Sequence, residues 1–166
     1  MVRLASLILA AMLSPAQAAG VQDNPLIDYE GFARTVAEVG PLRESRRVSE
    51  ADFIRMAREP GTVVLDARSE RLFKLRHIQG AVNLPFPEFT QATLARAIPS
   101  QATRVLIYCN NNFRGAPESL PVKALASALN LSTFVSLSTY GYRNVYELGP
   151  VIDVADAKVA FAGEEM

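Results

Sequence analysis

The only cysteine of the 166-residue chain stands where an apolar run gives way to a polar one. Cys109 follows residues 105–108 and precedes three asparagines and Arg114. Where a strand ends in a loop that leads into a helix, backbone N–H groups and the helix dipole favour negative charge in the loop. With Arg114 as a nearby cation, Cys109 is expected to ionise easily, and the thiolate is the nucleophilic form of cysteine.

A buried structural role is the alternative for Cys109, because free cysteines are among the most buried residues in proteins. The residues after it favour chemistry instead. Asparagine and arginine are poor core residues, good turn formers and good hydrogen-bond donors to anions. The sequence around Cys109 therefore indicates a reactive thiol in a polar loop.

Three other side chains are candidates for the same site. Asp66 ends the short β-branched run 62–65, and the carboxyl ends of parallel strands are where open α/β sheets place ligands. Asp66 and Arg68 also suit a bracing ion pair. His77 is the only histidine, so it is either a general base for Cys109 or part of the architecture. With no second histidine or cysteine nearby, no metal site is expected.

Apolar runs alternate with helical patterns along most of the chain. The patterns predict strands at residues 62–65, 81–84, 104–108 and 133–137. They predict helices at residues 29–39, 50–57, 70–75, 87–97 and 118–129. Strands separated by helices imply right-handed crossovers and a parallel α/β sheet, with Asp66 and Cys109 at the same edge.

The first residues resemble a secretory signal peptide. A short basic start, an apolar run and a small-x-small site before Ala19 predict cleavage after residue 18 and export, in a bacterium to the periplasm. After cleavage no stable membrane insertion is expected, and an uncleaved anchor is the alternative. In that oxidising compartment the lone Cys109 has no internal disulfide partner. The expected divisions are a signal peptide (1–18), an N-terminal extension (19–47), one main domain (48–150) and a C-terminal tail (151–166).

The amino-acid composition indicates a globular protein and argues against nucleic-acid binding. Apolar residues make up 49% of the chain and charged residues 20%, which is ordinary for a globular protein. Lysine plus arginine equal aspartate plus glutamate at 17 each. There is thus no overall positive charge to attract nucleic acid, and no nucleic-acid partner is expected.

The order and spacing of several motifs resemble a rhodanese-like domain. They are Asp66-Ala67-Arg68, then Phe73 with His77-Ile78-Gln79-Gly80-Ala81-Val82-Asn83-Leu84-Pro85, then a strand that ends in Cys109. The resemblance implies an α/β fold with a central parallel sheet flanked by helices on both faces. It also implies a sulfurtransferase without a cofactor, which takes sulfane sulfur from a small donor such as thiosulfate and passes it to a thiol or protein acceptor.

The resemblance assigns roles to residues of this chain. Cys109 would be catalytic and would carry the persulfide. Structural support would come from Asp66, Arg68 and His77. Substrate would be bound by the loop that follows the cysteine, namely Asn110, Asn111, Asn112, Phe113, Arg114 and Gly115.

The chain also departs from the family pattern. Asn112 stands where many active members have glycine, and Gly115 stands where they have serine or threonine. One alternative is therefore a non-catalytic persulfide carrier or protein-binding module. A cysteine-dependent phosphatase is less expected, because Arg114 comes one position earlier than the arginine of the phosphate-binding loop in those enzymes.

Overall fold

The computed structural model describes residues 24–165. The predicted signal peptide at residues 1–18 lies outside this range. Within the described range, no helix has the length and apolar character needed to cross a membrane.

Five parallel strands form the central sheet. In chain order, its strands are Arg47–Val48 (β1), Thr62–Asp66 (β2), Val82–Asn83 (β4), Arg104–Tyr108 (β5) and Val145–Leu148 (β7). The strand order across the sheet is β1-β7-β5-β2-β4. Two pairs of short strands lie outside this sheet. In one pair, His77–Ile78 (β3) is antiparallel to Phe161–Ala162 (β9). In the other pair, Phe113–Arg114 (β6) is parallel to Ile152–Asp153 (β8).

Helices cover both faces of this sheet. Their bounds are Tyr29–Ser45 (α1), Glu50–Ala57 (α2), Glu70–Leu75 (α3), Gln91–Ala97 (α4) and Leu129–Thr139 (α5). One core cluster joins the sheet to α1, α4 and α5, and a second joins the opposite face to α2 and to the β6 and β8 region. The predicted α/β fold with a parallel sheet between helical layers is confirmed.

A side-chain cap sets the start of α2, where the sequence predicts a helix at residues 50–57. The Ser49 hydroxyl accepts a hydrogen bond from the N–H of Asp52 at 3.1 Å and caps α2. The helix is amphipathic and buries Phe53 and Met56 against the sheet. A side-chain cap of this kind typically contributes about 1 kcal/mol to stability.

Two predictions for the segment after Cys109 are wrong. Residues 118–129 do not form one helix; they contain a 3-10 turn at Leu125–Ser127. Pro121 lies inside the predicted helix, and proline lacks the N–H that a helix interior needs. Residues 133–137 belong to α5 rather than to a strand. The strand that pairs with β5 on this side is β7, further along the chain.

The first helix is longer than its sequence pattern predicts. α1 continues past Gly40 and Pro41 to Ser45. Packing explains the continuation, because Leu42 lies against the first core cluster and Arg43 reaches a buried carboxylate on β7. These contacts offset the backbone hydrogen bond that Pro41 removes.

Candidate active site

The pleat of β5 decides which way Cys109 faces. Cys109 follows the last residue of β5 and keeps an extended backbone. Side chains two residues apart in a strand point to the same face, so Cys109 shares its face with Ile107. Ile107 pairs with Glu147 of β7 and packs in the core cluster beneath α1 and α5. Cys109 therefore lies on the side of the sheet that α5 covers.

The amino end of α5 meets the thiol of Cys109. The helix begins at Leu129, and Ala128 before it provides no side-chain cap. The first N–H groups of a helix have no partner inside the helix. Here the backbone N–H groups of Leu129 and Asn130, together with that of Asn111 from the loop, act on the thiol and lower its pKa. The sulfur thus occupies a cradle of three N–H groups, which favours negative charge on the sulfur.

Burial nevertheless dominates the acidity of Cys109, which is only 2% exposed. Burial raises the pKa of the Cys109 thiol, and the Glu147 carboxylate raises it further. The three N–H groups lower the pKa, but they do not offset burial. The expectation of an easily ionised resting thiol is therefore wrong: the protein holds Cys109 mainly as the neutral thiol at neutral pH.

Asn112 ties the parts of this cradle together. Its Oδ1 accepts hydrogen bonds from the backbone N–H of Cys109 at 2.9 Å and from the Asn130 side chain at 3.0 Å. Its Nδ2 donates to the carbonyl oxygens of Leu148 at 2.7 Å and Pro150 at 3.3 Å. One buried amide therefore joins the end of β5, the start of α5 and the end of β7.

The other two asparagines hold neighbouring segments. Asn110 is buried, and its Oδ1 accepts a hydrogen bond from Arg68 at 3.3 Å. Asn111 bonds both the N–H and the carbonyl of Lys123, at 3.0 and 2.9 Å. That pair fastens the long segment between β6 and α5 beside the cradle.

The rest of the predicted loop turns away from this cradle. Phe113 is buried in the second core cluster, where its ring packs edge-on against Tyr108. Arg114 does not begin a helix, because it lies in β6, and its exposed side chain pairs with Asp153 at 3.6 Å. Gly115 has a positive φ of 91°, and a Cβ there would come within 2.9 Å of Asp153. The structure thus brings Asn110, Asn111 and Asn112 together with Cys109. Phe113 and Arg114 lie in β6, and Gly115 lies in the bend after this strand.

Asp66 and Arg68 form a buried ion pair on the other side of β5. The Arg68 guanidinium donates to both carboxylate oxygens of Asp66, at distances from 2.6 to 3.1 Å. It also donates to the carbonyl oxygens of Arg76 and Ser119. The Tyr108 hydroxyl donates to Asp66, so the carboxylate and the guanidinium are both well supplied with partners.

His77 lies in β3, away from the residues that contact the thiol. Its Nδ1 hydrogen-bonds to the carbonyl of Phe73 at 2.8 Å. The two rings stack with centroids 3.7 Å apart. These contacts fix the turn between α3 and β3 and fit an architectural role.

Sequence reasoning missed one charged group near the thiol. Glu147 is 5% exposed, and one of its oxygens accepts a hydrogen bond from Arg43 at 2.6 Å. Its other oxygen, Oε2, is buried without a partner in the described residues. A carboxylate inside a buried strand is rare, and the pattern Val-Tyr-Glu-Leu at residues 145–148 is the signal that could have identified it.

Comparisons with known proteins agree with this architecture. The profile of the Rhodanese-like domain family matches residues 49–148. Thiosulfate sulfurtransferase PspE of Escherichia coli (strain K12) is 30% identical over 95 residues, which are 57% of this chain and 76% of that protein.

Solved structures show weaker likenesses. A rhodanese with anions from E. coli is 23% identical, with a TM-score of 0.42, over 62% of this chain and 99% of that one. BH2092 protein from Bacillus halodurans is 21% identical, with a TM-score of 0.46, over 72% of this chain and 77% of that one. The family profile covers more than half of the sequence and includes Cys109 with its cradle. The chain belongs to the rhodanese-like domain family.

Proposed function

We propose that the chain is a sulfurtransferase that moves sulfane sulfur through a persulfide on Cys109. The observation that carries this proposal is the position of a free, buried thiol directly after the carboxyl end of β5, where three backbone N–H groups act to lower its pKa. Fixed N–H groups stabilise a thiolate or persulfide anion without having to reorganise during the reaction. The activity named for the relative PspE supports the same reaction class.

The reaction would proceed in two transfers. The Cys109 thiolate attacks the outer sulfur of a donor such as thiosulfate, the S–S bond of the donor breaks, and sulfite leaves. A thiol, a protein acceptor or cyanide then attacks the outer sulfur of the persulfide, which releases the Cys109 thiolate again. Because burial raises the pKa of Cys109, the first transfer starts from a minor thiolate population at neutral pH.

A persulfide carrier with slow turnover is the second candidate. Two observations favour it: the raised pKa of Cys109, and the pairing of Arg114 with Asp153 instead of with the thiol. A carrier would still accept sulfur on Cys109. It would pass that sulfur on rapidly only to a specific partner.

Steady-state thiocyanate formation from thiosulfate and cyanide separates these candidates. A sulfurtransferase gives sustained turnover that Cys109→Ser abolishes. Single-turnover loading without sustained turnover in the wild type would favour the carrier. Cysteine-independent thiocyanate formation would contradict both candidates.

We also infer that the protein is exported to the periplasm. Its exported chain would consist of one domain, residues 48–150, between an N-terminal extension and a C-terminal tail. The basic start, apolar run and small-residue site within residues 1–19 support export. The test is amino-terminal sequencing of the protein recovered from the periplasmic extract and from the membrane fraction of the same cells. A start at Ala19 supports cleavage, and an intact Met1 in a membrane fraction would contradict it.

A further inference from the structure

Glu147 is a buried carboxylate that the two sulfur transfers described above do not use. Its residue is 5% exposed, and its Oε1 accepts a hydrogen bond from Arg43 at 2.6 Å. Its Oε2 is buried and has no hydrogen-bond partner in the described part of the chain. A buried carboxylate oxygen without a partner costs stability, because its lost hydration is not replaced. Such an oxygen in a folded protein is therefore a candidate for function.

The register of the sheet places Glu147 on the same side as the thiol. Glu147 of β7 pairs with Ile107 of the parallel strand β5. Val145, two residues before Glu147, lies in the same core cluster as Ile107. Cys109 shares the face of Ile107, because side chains two residues apart in a strand point the same way. The Glu147 side chain therefore projects into the layer that holds the thiol.

The spacing of the strands brings the carboxylate into the neighbourhood of the sulfur. Adjacent strands lie about 4.8 Å apart and rise about 3.3 Å per residue, which puts the Cα atoms of Glu147 and Cys109 about 8 Å apart. Two side chains that point to the same face can approach each other across that distance. Within residues 24–165 the carboxylate is bonded to Arg43 and not to the thiol. Catalytic hydrogen bonds often tighten only when substrate is bound.

Charge favours a proton transfer between these two groups. The Glu147 carboxylate opposes ionisation of Cys109, because two like charges would be buried together. If the thiol proton left for solvent, the Arg43 cation would face two anions. If the proton moved to Glu147, one cation and one anion would remain, as before the transfer. The second route avoids an additional buried charge without a counter-ion.

The other groups around Glu147 leave its Oε2 open to a proton. Arg43 reaches it from α1 and occupies Oε1. Arg47 of β1 pairs with Glu147 in the backbone register, but its exposed side chain bonds to Glu44. The helix over this face, α5, buries Asn130 and Thr133, which do not titrate near neutral pH.

We propose that Glu147 is the proton acceptor for the Cys109 thiol in the first sulfur transfer. This inference rests on the proposed sulfurtransferase function. Oε2 takes the S–H proton while Oε1 stays bonded to Arg43. The thiolate attacks the outer sulfur of the donor thiosulfate, the S–S bond of the donor breaks, and sulfite leaves with the bonding electrons. When an acceptor has removed the outer sulfur of the persulfide, the Cys109 thiolate takes the proton back. Atoms and charge balance without an external oxidant or reductant.

The test is the single-turnover rate of sulfite release from thiosulfate in the wild type and in Glu147→Gln. Each protein is measured at pH 7 and above its own thiolate midpoint, which the ultraviolet absorbance of the thiolate gives. A general base typically contributes at least about a hundredfold, so we expect Glu147→Gln to be about a hundredfold slower at pH 7. Above the midpoint solvent hydroxide removes the proton, and we expect the variant to recover the wild-type rate. The exposed Glu44→Gln is the charge-matched control and should match the wild type at both pH values.

A purely electrostatic role of Glu147 predicts the opposite sign. Glutamine removes the charge that opposes the thiolate, so the rate at pH 7 would rise. A raised or unchanged rate in Glu147→Gln would therefore overturn the proposal. An equal fall at both pH values would also overturn it, because alkali does not rescue a lost contact that only supports the fold.

Glu147→Asp is the second variant, because it keeps a carboxylate. We expect it to release sulfite faster than Glu147→Gln at pH 7, and a slower release would contradict the proton-acceptor role. If wild-type Cys109 gains no sulfur from thiosulfate at either pH, the proposed sulfurtransferase function itself fails.

Discussion

The side-chain oxygen of Asn112 accepts a hydrogen bond from the backbone N–H of Cys109 at 2.9 Å. Many active members of the family have glycine at this place, yet Asn112 has no positive φ. The asparagine side chain instead bonds to Asn130 and to the carbonyl of Leu148. The substitution that departs from the family pattern is thus what joins the cysteine to α5 and β7.

Removing this amide is expected to loosen the cradle. Asn112→Ala leaves buried donors and acceptors without partners, so we expect the free energy of unfolding to fall by about 2–4 kcal/mol. Asn144→Ala, at a half-buried position whose side chain makes one solvent-exposed hydrogen bond, is the matched control and should cost less than about 1 kcal/mol. Urea denaturation measures both. Equal losses in the two variants would contradict the bracing role of Asn112.

The raised pKa of Cys109 predicts a pH dependence. Burial favours the neutral thiol in the folded protein, so the thiolate should appear at higher pH than in an unfolded peptide with the same sequence. The extra stability from this neutral thiol is present below the unfolded pKa and is lost as the pH rises through the folded value. The ultraviolet absorbance of the thiolate follows the titration, with Cys109→Ser as the blank. A folded midpoint below that of the peptide would contradict this account.

Glu147→Gln should make the thiol more acidic. The carboxylate repels the Cys109 thiolate, and glutamine removes the charge while its oxygen still accepts the hydrogen bond from Arg43. We expect the thiolate titration to move to lower pH. The exposed Glu44→Gln is the charge-matched control and should not move it. An unchanged or higher midpoint in Glu147→Gln would show that Glu147 does not act on the thiol.

Removing one partner of the buried Arg68–Asp66 pair is expected to destabilise the fold strongly. Arg68→Met leaves the fully buried Asp66 carboxylate without its counter-ion, which typically costs about 3–5 kcal/mol. Arg55→Met breaks only exposed pairs and should cost less than about 1 kcal/mol. Thermal and urea unfolding of both variants test this. A similar small loss in the two would contradict the buried-pair assignment.

Much of the sheet could be predicted from sequence because its central strands carry clear signals. Continuous apolar runs at residues 63–65 and 105–108 lie in β2 and β5, and the first run stops at Asp66 and the second at Cys109. The helix predicted at residues 50–57 corresponds to α2. These features depend on neighbouring residues alone.

The helix that meets Cys109 was not predicted, for a physical reason. Three of its buried residues, Asn130, Thr133 and Ser138, are polar. The other three are apolar and include the strand-forming types Phe134 and Val135. Strand propensity in residues 133–137 is overridden by packing on the sheet, which a local pattern does not contain. The cradle donors Leu129 and Asn130 were hidden for the same reason. Glu147 could not be placed near the thiol without knowing this packing.

Mass spectrometry of the Cys109 peptide tests the central claim most directly. The purified protein is incubated with thiosulfate and then with cyanide. The account predicts a gain of one sulfur on the Cys109 peptide, lost again with thiocyanate release when cyanide is added. A folded protein with a reduced Cys109 that gains no sulfur from thiosulfate would contradict it.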